Sequence, residues 1–212
     1  METEIDQAGL PDLPTADAEQ LPPDEGDAGA EAGPVAGDTR GPGDTHGREA
    51  LAAAARLTPQ QRASAQAVVL KGARLLLEHA AQVHYTMGEQ RWEGINDKRY
   101  VRDGQFLRYG DCSSTATWLL WNALFAHLGM GDVVNGAGWR AGYTGTMLDH
   151  GRPVPESAVE VGDLVIYGAG APGKHVTVCL GGGMVFSHGS DPGPYKLPLR
   201  YRSDVLSIRR YF

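Results

Sequence analysis

Apolar residues return every three or four positions from Ala65 onward, through Val68, Val69, Ala73, Leu76, Leu77, Ala80 and Val83. That is the spacing of one buried helix face. Its start is written just upstream: Thr58 is a natural N-cap, Pro59 suits the first helical position, and Gln61 completes a capping box. The pattern predicts a helix from Pro59 to about Tyr85. A second run, Thr115 to Leu128, is apolar around most of its circumference, with Trp118, Leu119, Leu120, Trp121, Leu124 and Phe125. A helix of that kind belongs in the interior. It is expected to run from Cys112 to Leu128 and to stop at Gly129, a C-cap residue. Residues 88–110 and 131–160 lack a sustained period and carry many turn formers, so both read as loops. Within the first, Trp92, Tyr100, Phe106 and Tyr109 are placed either to pack at a loop-to-core junction or to line a cleft beside Cys112.

The period then changes. Asp163 to Tyr167, His175 to Leu180, Met184 to Ser187 and Val205 to Tyr211 are short β-rich runs separated by Gly and Pro. Helices first and strands later, with no repeating βα unit, indicate an α+β domain in which N-terminal helices pack on an antiparallel β-sheet. Residues 175–188 read as a hairpin. A two-residue turn at Gly181-Gly182 pairs Leu180 with Gly183 and, counted outward, sets His175 opposite His188 with both rings on one face.

Charge divides the chain. Residues 1–50 hold thirteen Asp or Glu against Arg40 and Arg48, a net charge of −11, whereas residues 51–212 hold seventeen Lys or Arg against thirteen acids, a net +4. The acidic part is rich in Pro, Gly and Ala and poor in aromatic and β-branched residues, so it cannot bury enough apolar surface to offset its ordering entropy. The expected organisation is a disordered acidic tail over residues 1–56 and one folded domain over 57–212. No basic stripe interleaved with aromatics points to nucleic acid. The N-terminal residues lack the basic and apolar regions of a secretory signal, and no run approaches a transmembrane segment.

Two cysteines, Cys112 and Cys179, are too few for a disulfide framework and lack metal-type pair spacing. Cys112 falls in the first turn of the predicted interior helix, where unpaired N–H groups and the positive end of the dipole favour thiolate over thiol. The thiolate is the nucleophile, and a nucleophile needs a base. His175 and His188 are the candidates, emerging together from neighbouring strands. Cys179 alternates onto the face of His175 and is expected to pack. His79 and His84 read as surface or packing residues, His127 as a helix-end group and His150, before Gly151, as a turn residue.

The residues Asp111-Cys112-Ser113-Ser114 ahead of an apolar helix, Val161-Gly162-Asp163-Leu164-Val165 leading a strand and His175-Val176 opening the next resemble the NlpC-type cysteine peptidases that cut bacterial peptidoglycan stem peptides. The ending, from Ser187-His188-Gly189-Ser190 to Arg209-Arg210-Tyr211, is similar to versions found in actinobacteria and their phages. The resemblance covers roughly residues 60–212. It implies a papain-like fold, a cell-wall hydrolase with no cofactor, Cys112 as nucleophile and His175 as base and then acid. It also implies that Asp111, with Ser113 and Tyr109, helps bind the stem peptide, Asp111 through the peptide's free amino group. The orienting residue of the family falls twelve positions after the first histidine, on Ser187; the two-glycine turn favours His188. Three other readings use the same residues. Cys112, His175 and His188 as zinc ligands would make a metal-dependent amidase. A domain that grips the wall without cutting it and a thiol acyltransferase are the others.

Overall fold

The computed structural model describes residues 52–131, 134–135, 142–170 and 173–212. Most of the expected acidic tail, residues 1–51, lies outside them. Residues 52–56, assigned above to the tail, form a short helical turn with Ala54 fully buried in the main core.

Helix α1 (Pro59–Glu78) begins as its sequence prescribes. The Gln61 N–H donates to Thr58 Oγ1 at 3.2 Å, and the Thr58 N–H donates to Gln61 Oε1 at 3.0 Å. The helix ends earlier than Tyr85. A 3-10 turn (Ala80–Gln82) follows, and the chain extends into β1 (His84–Tyr85). Val83, β-branched and buried, opens this extension. Strand β1 pairs in parallel with β2 (Tyr109–Gly110), so the backbone groups that a longer helix would have used are satisfied there instead. This pairing fixes the residues immediately before Asp111.

The first loop region is ordered into single turns: a 3-10 turn (Glu89–Trp92), helix α2 (Glu93–Asn96) and a second 3-10 turn (Val101–Asp103). Their apolar residues Trp92, Ile95 and Val101 are buried against the central helix. Gly94 marks the closest crossing, since a Cβ there would come within 2.7 Å of the Trp118 ring.

The central helix α3 (Cys112–Trp121) is buried through Leu120, as its composition requires. It widens into a π-helical turn (Asn122–Ala126) and ends after Leu128, with Gly129 at φ 69°. Asn122 stands at the widening, where its carboxamide accepts the Val101 N–H at 2.9 Å and donates to the Trp118 carbonyl at 3.1 Å. A short helix, α4 (Thr144–Asp149), interrupts the second region that reads as loop. It has one apolar anchor, the fully buried Met147, too little to show as periodicity.

The sheet has six strands in the order β3-β8-β4-β5-β6-β7, each antiparallel to its neighbours: β3 (Arg152–Pro153), β4 (Leu164–Tyr167), β5 (His175–Gly181), β6 (Met184–Ser187), β7 (Tyr195–Pro198) and β8 (Val205–Arg210). Leu164, Ile166, Val176, Val178 and Phe186 join the core of α1 and α3, whereas Val165, Tyr167, Val185, Leu197 and Ile208 form a second cluster. The Arg210 guanidinium clamps the buried Asp163 carboxylate from both sides, at 2.8 and 2.7 Å, and ties the end of β8 to the entrance of β4. No helix among the described residues is long and apolar enough to cross a membrane.

Candidate active site

Cys112 is the first residue of α3, and the residue before it builds the helix start. Asp111 Oδ1 accepts the Ser114 N–H at 2.6 Å and the Ser113 hydroxyl at 2.9 Å, while the Asp111 N–H donates to Ser114 Oγ at 2.9 Å. A reciprocal cap of this kind satisfies donors that a helix otherwise leaves open, and it holds the cysteine backbone at the dipole's positive end. The other carboxylate oxygen, Oδ2, is taken by Arg91 at 2.6 Å. Both Asp111 and Ser113 are buried. The Asp111 carboxylate, expected to meet the stem peptide's amino group, is engaged here by the cap and by the Arg91 guanidinium. Tyr109 lies two residues ahead of Asp111 on β2, half-buried, with its ring 5.7 Å from that of His84.

The hairpin departs from the expected register. Cys179 pairs with Val185 and Val178 with Phe186, but Gly181 pairs with Met184, so the turn is Gly182-Gly183 and the register shifts between Cys179 and Gly181. Gly181, Gly182 and Gly183 all have positive φ, at 82°, 59° and 73°, which only glycine adopts at little cost. One extra residue in a strand reverses which side chains share a face. His175 Nε2 consequently lies 3.0 Å from Ser187 Oγ, and the expected pairing of His175 with His188 does not form.

His188 points elsewhere. Its Nδ1 is 3.0 Å from Thr115 Oγ1, on the first turn of α3, and the Tyr85 ring meets it edge-on at 5.8 Å between centroids. Its Nε2 is buried with no hydrogen-bond partner among the described residues. Burial pushes its pKa from 6.5 down to about 4, against the pull of Asp111 and Asp191 and with the added push of His175 and His84. The ring is neutral at neutral pH. The Thr115 hydroxyl ties it to the first turn of α3, and it directly follows Ser187, the partner of His175, in the sequence.

Cys179 shares the His175 face and is buried, and desolvation raises its thiol to about 11. It is an inert packing group. Among the described residues no three His, Cys, Asp or Glu side chains are grouped to hold a metal, so Cys112, His175 and His188 do not form the three-ligand set of the zinc reading. Arg91 and Thr115 carry no signal in the sequence: one lies in an aperiodic stretch, the other inside an apolar run. Ser187 carries one only through the family's twelve-residue spacing.

No family model matches the chain, and no curated protein matches it. Solved structures do. The peptidoglycan hydrolase RipB from Mycobacterium tuberculosis is 20% identical over 87% of this chain and 93% of its own, with a TM-score of 0.51. The P60 domain of antigen MAP1204 from M. avium subspecies paratuberculosis is 24% identical over 72% of this chain and 97% of its own, with a TM-score of 0.45. The NlpC/p60 domain of the peptidoglycan hydrolase SagA is 18% identical over 68% and 97%, with a TM-score of 0.42. At the level of fold, the chain shares the α+β, papain-like architecture of RipB, as the residues around Cys112, Asp163 and His175 lead one to expect.

Proposed function

We propose that the protein is a peptidoglycan hydrolase that cuts an amide bond of the stem peptide through the Cys112 thiolate. The observation that carries this reading is a cysteine at the capped start of α3 together with an imidazole, His175, held at Nε2 by Ser187 on the hairpin whose next residue, His188, reaches Thr115 on that same helix turn. With Nε2 engaged by Ser187, Nδ1 of His175 is the nitrogen that exchanges protons. It takes the proton of Cys112, the thiolate adds to the carbonyl carbon, and His175 returns the proton to the leaving nitrogen as the C–N bond breaks. Water, deprotonated by the same ring, then cleaves the thioester and frees the sulfur. Backbone N–H groups of the first turn of α3, Cys112 among them, stabilise the oxyanion of both additions.

Ser187 takes the orienting role expected of His188, and His188 becomes a neutral support for the helix start. The fold shared with a peptidoglycan hydrolase agrees with this chemistry. The likeness of residues 187–211 to phage versions extends the reading to lysis of an actinobacterial wall.

The test is digestion of purified sacculi by wild-type and Cys112→Ala protein, with mass spectrometry of the released fragments. Wild type is expected to release peptides or dissociated stems, and Cys112→Ala to release none while keeping its unfolding temperature. Equal release by both would refute the cysteine mechanism. Fragment masses distinguish a cut after D-glutamate from a muramoyl amide or bridge cut.

A further inference from the structure

Cys112 and the hairpin histidines arrive from different parts of the chain, so their mutual placement depends on what joins those parts. The packing of α3 on β5 sets it coarsely. Two hydrogen bonds act closer in. One is that of Thr115 with His188. The other runs from the Tyr85 N–H to Asp191 Oδ1, at 2.9 Å and across 106 residues of chain. Tyr85 lies on β1, in register with Gly110, the residue before Asp111. The N–H groups of His84 and Thr86 donate to the Arg108 and Gly110 carbonyls, at 2.7 and 2.9 Å, and hold the strand that leads to the nucleophile. The Tyr85 N–H faces the other way, along the edge of β1 that β2 leaves open, and Asp191 takes it. A Cβ at Gly110 would come within 2.5 Å of Thr115 Oγ1, the same hydroxyl that meets His188, so the two links converge on one place. On the hairpin side, Asp191 follows His188 by three residues, and Gly189 and Ser190 between them are buried. The segment is too short and too closely packed to absorb a shift at either end. Asp191 itself is exposed and takes no part in either hydrophobic cluster.

We propose that Asp191 is a positioning residue: by holding the Tyr85 N–H it fastens the exit of the histidine-bearing hairpin to the strand pair that delivers Cys112, and so keeps the His175 imidazole aligned with the sulfur. This rests on the hydrolase reading above for the roles of Cys112 and His175. Asp191 acts through Tyr85 and the β1–β2 pair and not on the reacting atoms. The bond needs an acceptor oxygen at that position, and the carboxylate charge is incidental to it. Without the acceptor, water takes its place at the strand edge and the two parts are no longer tied.

The experiment compares Asp191→Ala and Asp191→Asn with wild type in two assays. On soluble wall fragments Asp191→Ala should lower kcat about tenfold with KM unchanged, since a 1 Å misplacement of reacting groups can cost about 10²-fold. Asp191→Asn keeps a carbonyl oxygen for the Tyr85 N–H and should stay within about twofold of wild type. The second assay needs no turnover: the rate at which iodoacetamide alkylates Cys112 at pH 7, read by peptide mapping, should fall in Asp191→Ala, whose sulfur is parted from its base, and recover in Asp191→Asn. An unfolding scan of each variant should run close to wild type, because the side chain is exposed. Where wild type turns over wall fragments, kcat decides. Where it does not, the hydrolase reading falls and the alkylation rates decide this one alone. Equal rates in all three proteins, a loss confined to KM, or an Asp191→Asn variant as slow as Asp191→Ala would each overturn the positioning role.

Discussion

His188→Asn tests how the helix start is supported. Asparagine places an amide where Nδ1 meets Thr115, so it preserves a partner for that hydroxyl and removes the titrating ring. In the native protein burial holds the imidazole pKa at about 4, whereas the unfolded chain protonates near 6.5. The unfolded state therefore binds more protons between these values, and the stability that comes from keeping the ring neutral is complete above pH 6.5 and falls as pH drops toward 4. Each pH unit of that window is worth about 1.4 kcal/mol, so wild type should lose about 2 kcal/mol through this group between pH 6.5 and 5. The variant loses nothing through it. At pH 7 His188→Asn should be less stable by about 2 kcal/mol, from lost ring packing against Tyr85. At pH 5 that gap should nearly vanish. Urea unfolding of both proteins at the two values reads the difference, and other titrating groups cancel. A gap of equal size at pH 5 and pH 7 would show that the ring is not a buried neutral group, and the support role would fall with it.

Other consequences are separable. Ser187→Ala should lower kcat on wall fragments about tenfold or more with little change in KM, because it frees the His175 ring without touching the nucleophile; steady-state kinetics decides it. Iodoacetamide at pH 7 should label Cys112 and leave Cys179 unmodified in the native protein, since burial raises the second thiol to about 11; peptide mapping after unfolding shows which carries the adduct. Asp163→Ala leaves the Arg210 guanidinium buried without its bidentate partner and should cost about 3 to 5 kcal/mol, seen as a lowered unfolding temperature with unchanged chemistry in whatever protein remains folded.

Sequence periodicity reached the elements whose burial is one-sided or complete. The capping box at Thr58, the interior helix from Cys112 to Leu128 and the strands around Leu164, His175 and Val205 are all where their spacing puts them. It did not reach single turns. Glu89–Trp92 and Thr144–Asp149 are too short to show a repeat, and each is held by one or two buried anchors, Trp92 and Met147, that look like isolated apolar residues. The hairpin error has one cause. Three successive glycines allow the turn at more than one position, and the register was settled by a shift at Leu180 that no side chain announces. Within the candidate site the cysteine and first histidine follow from residue type and position. Arg91 and Thr115 do not, because contacts across twenty or more residues leave no trace in local pattern.

The bond between Thr115 and His188 spans 73 residues of chain. If Cys112 and His175 have the roles proposed above, a ribosome that has released the central helix has exposed the cysteine before the hairpin that carries its base is translated. On that reading, chemical competence arrives only with closure of the sheet. On that reading, synthesis order keeps the sulfur idle until the sheet has formed.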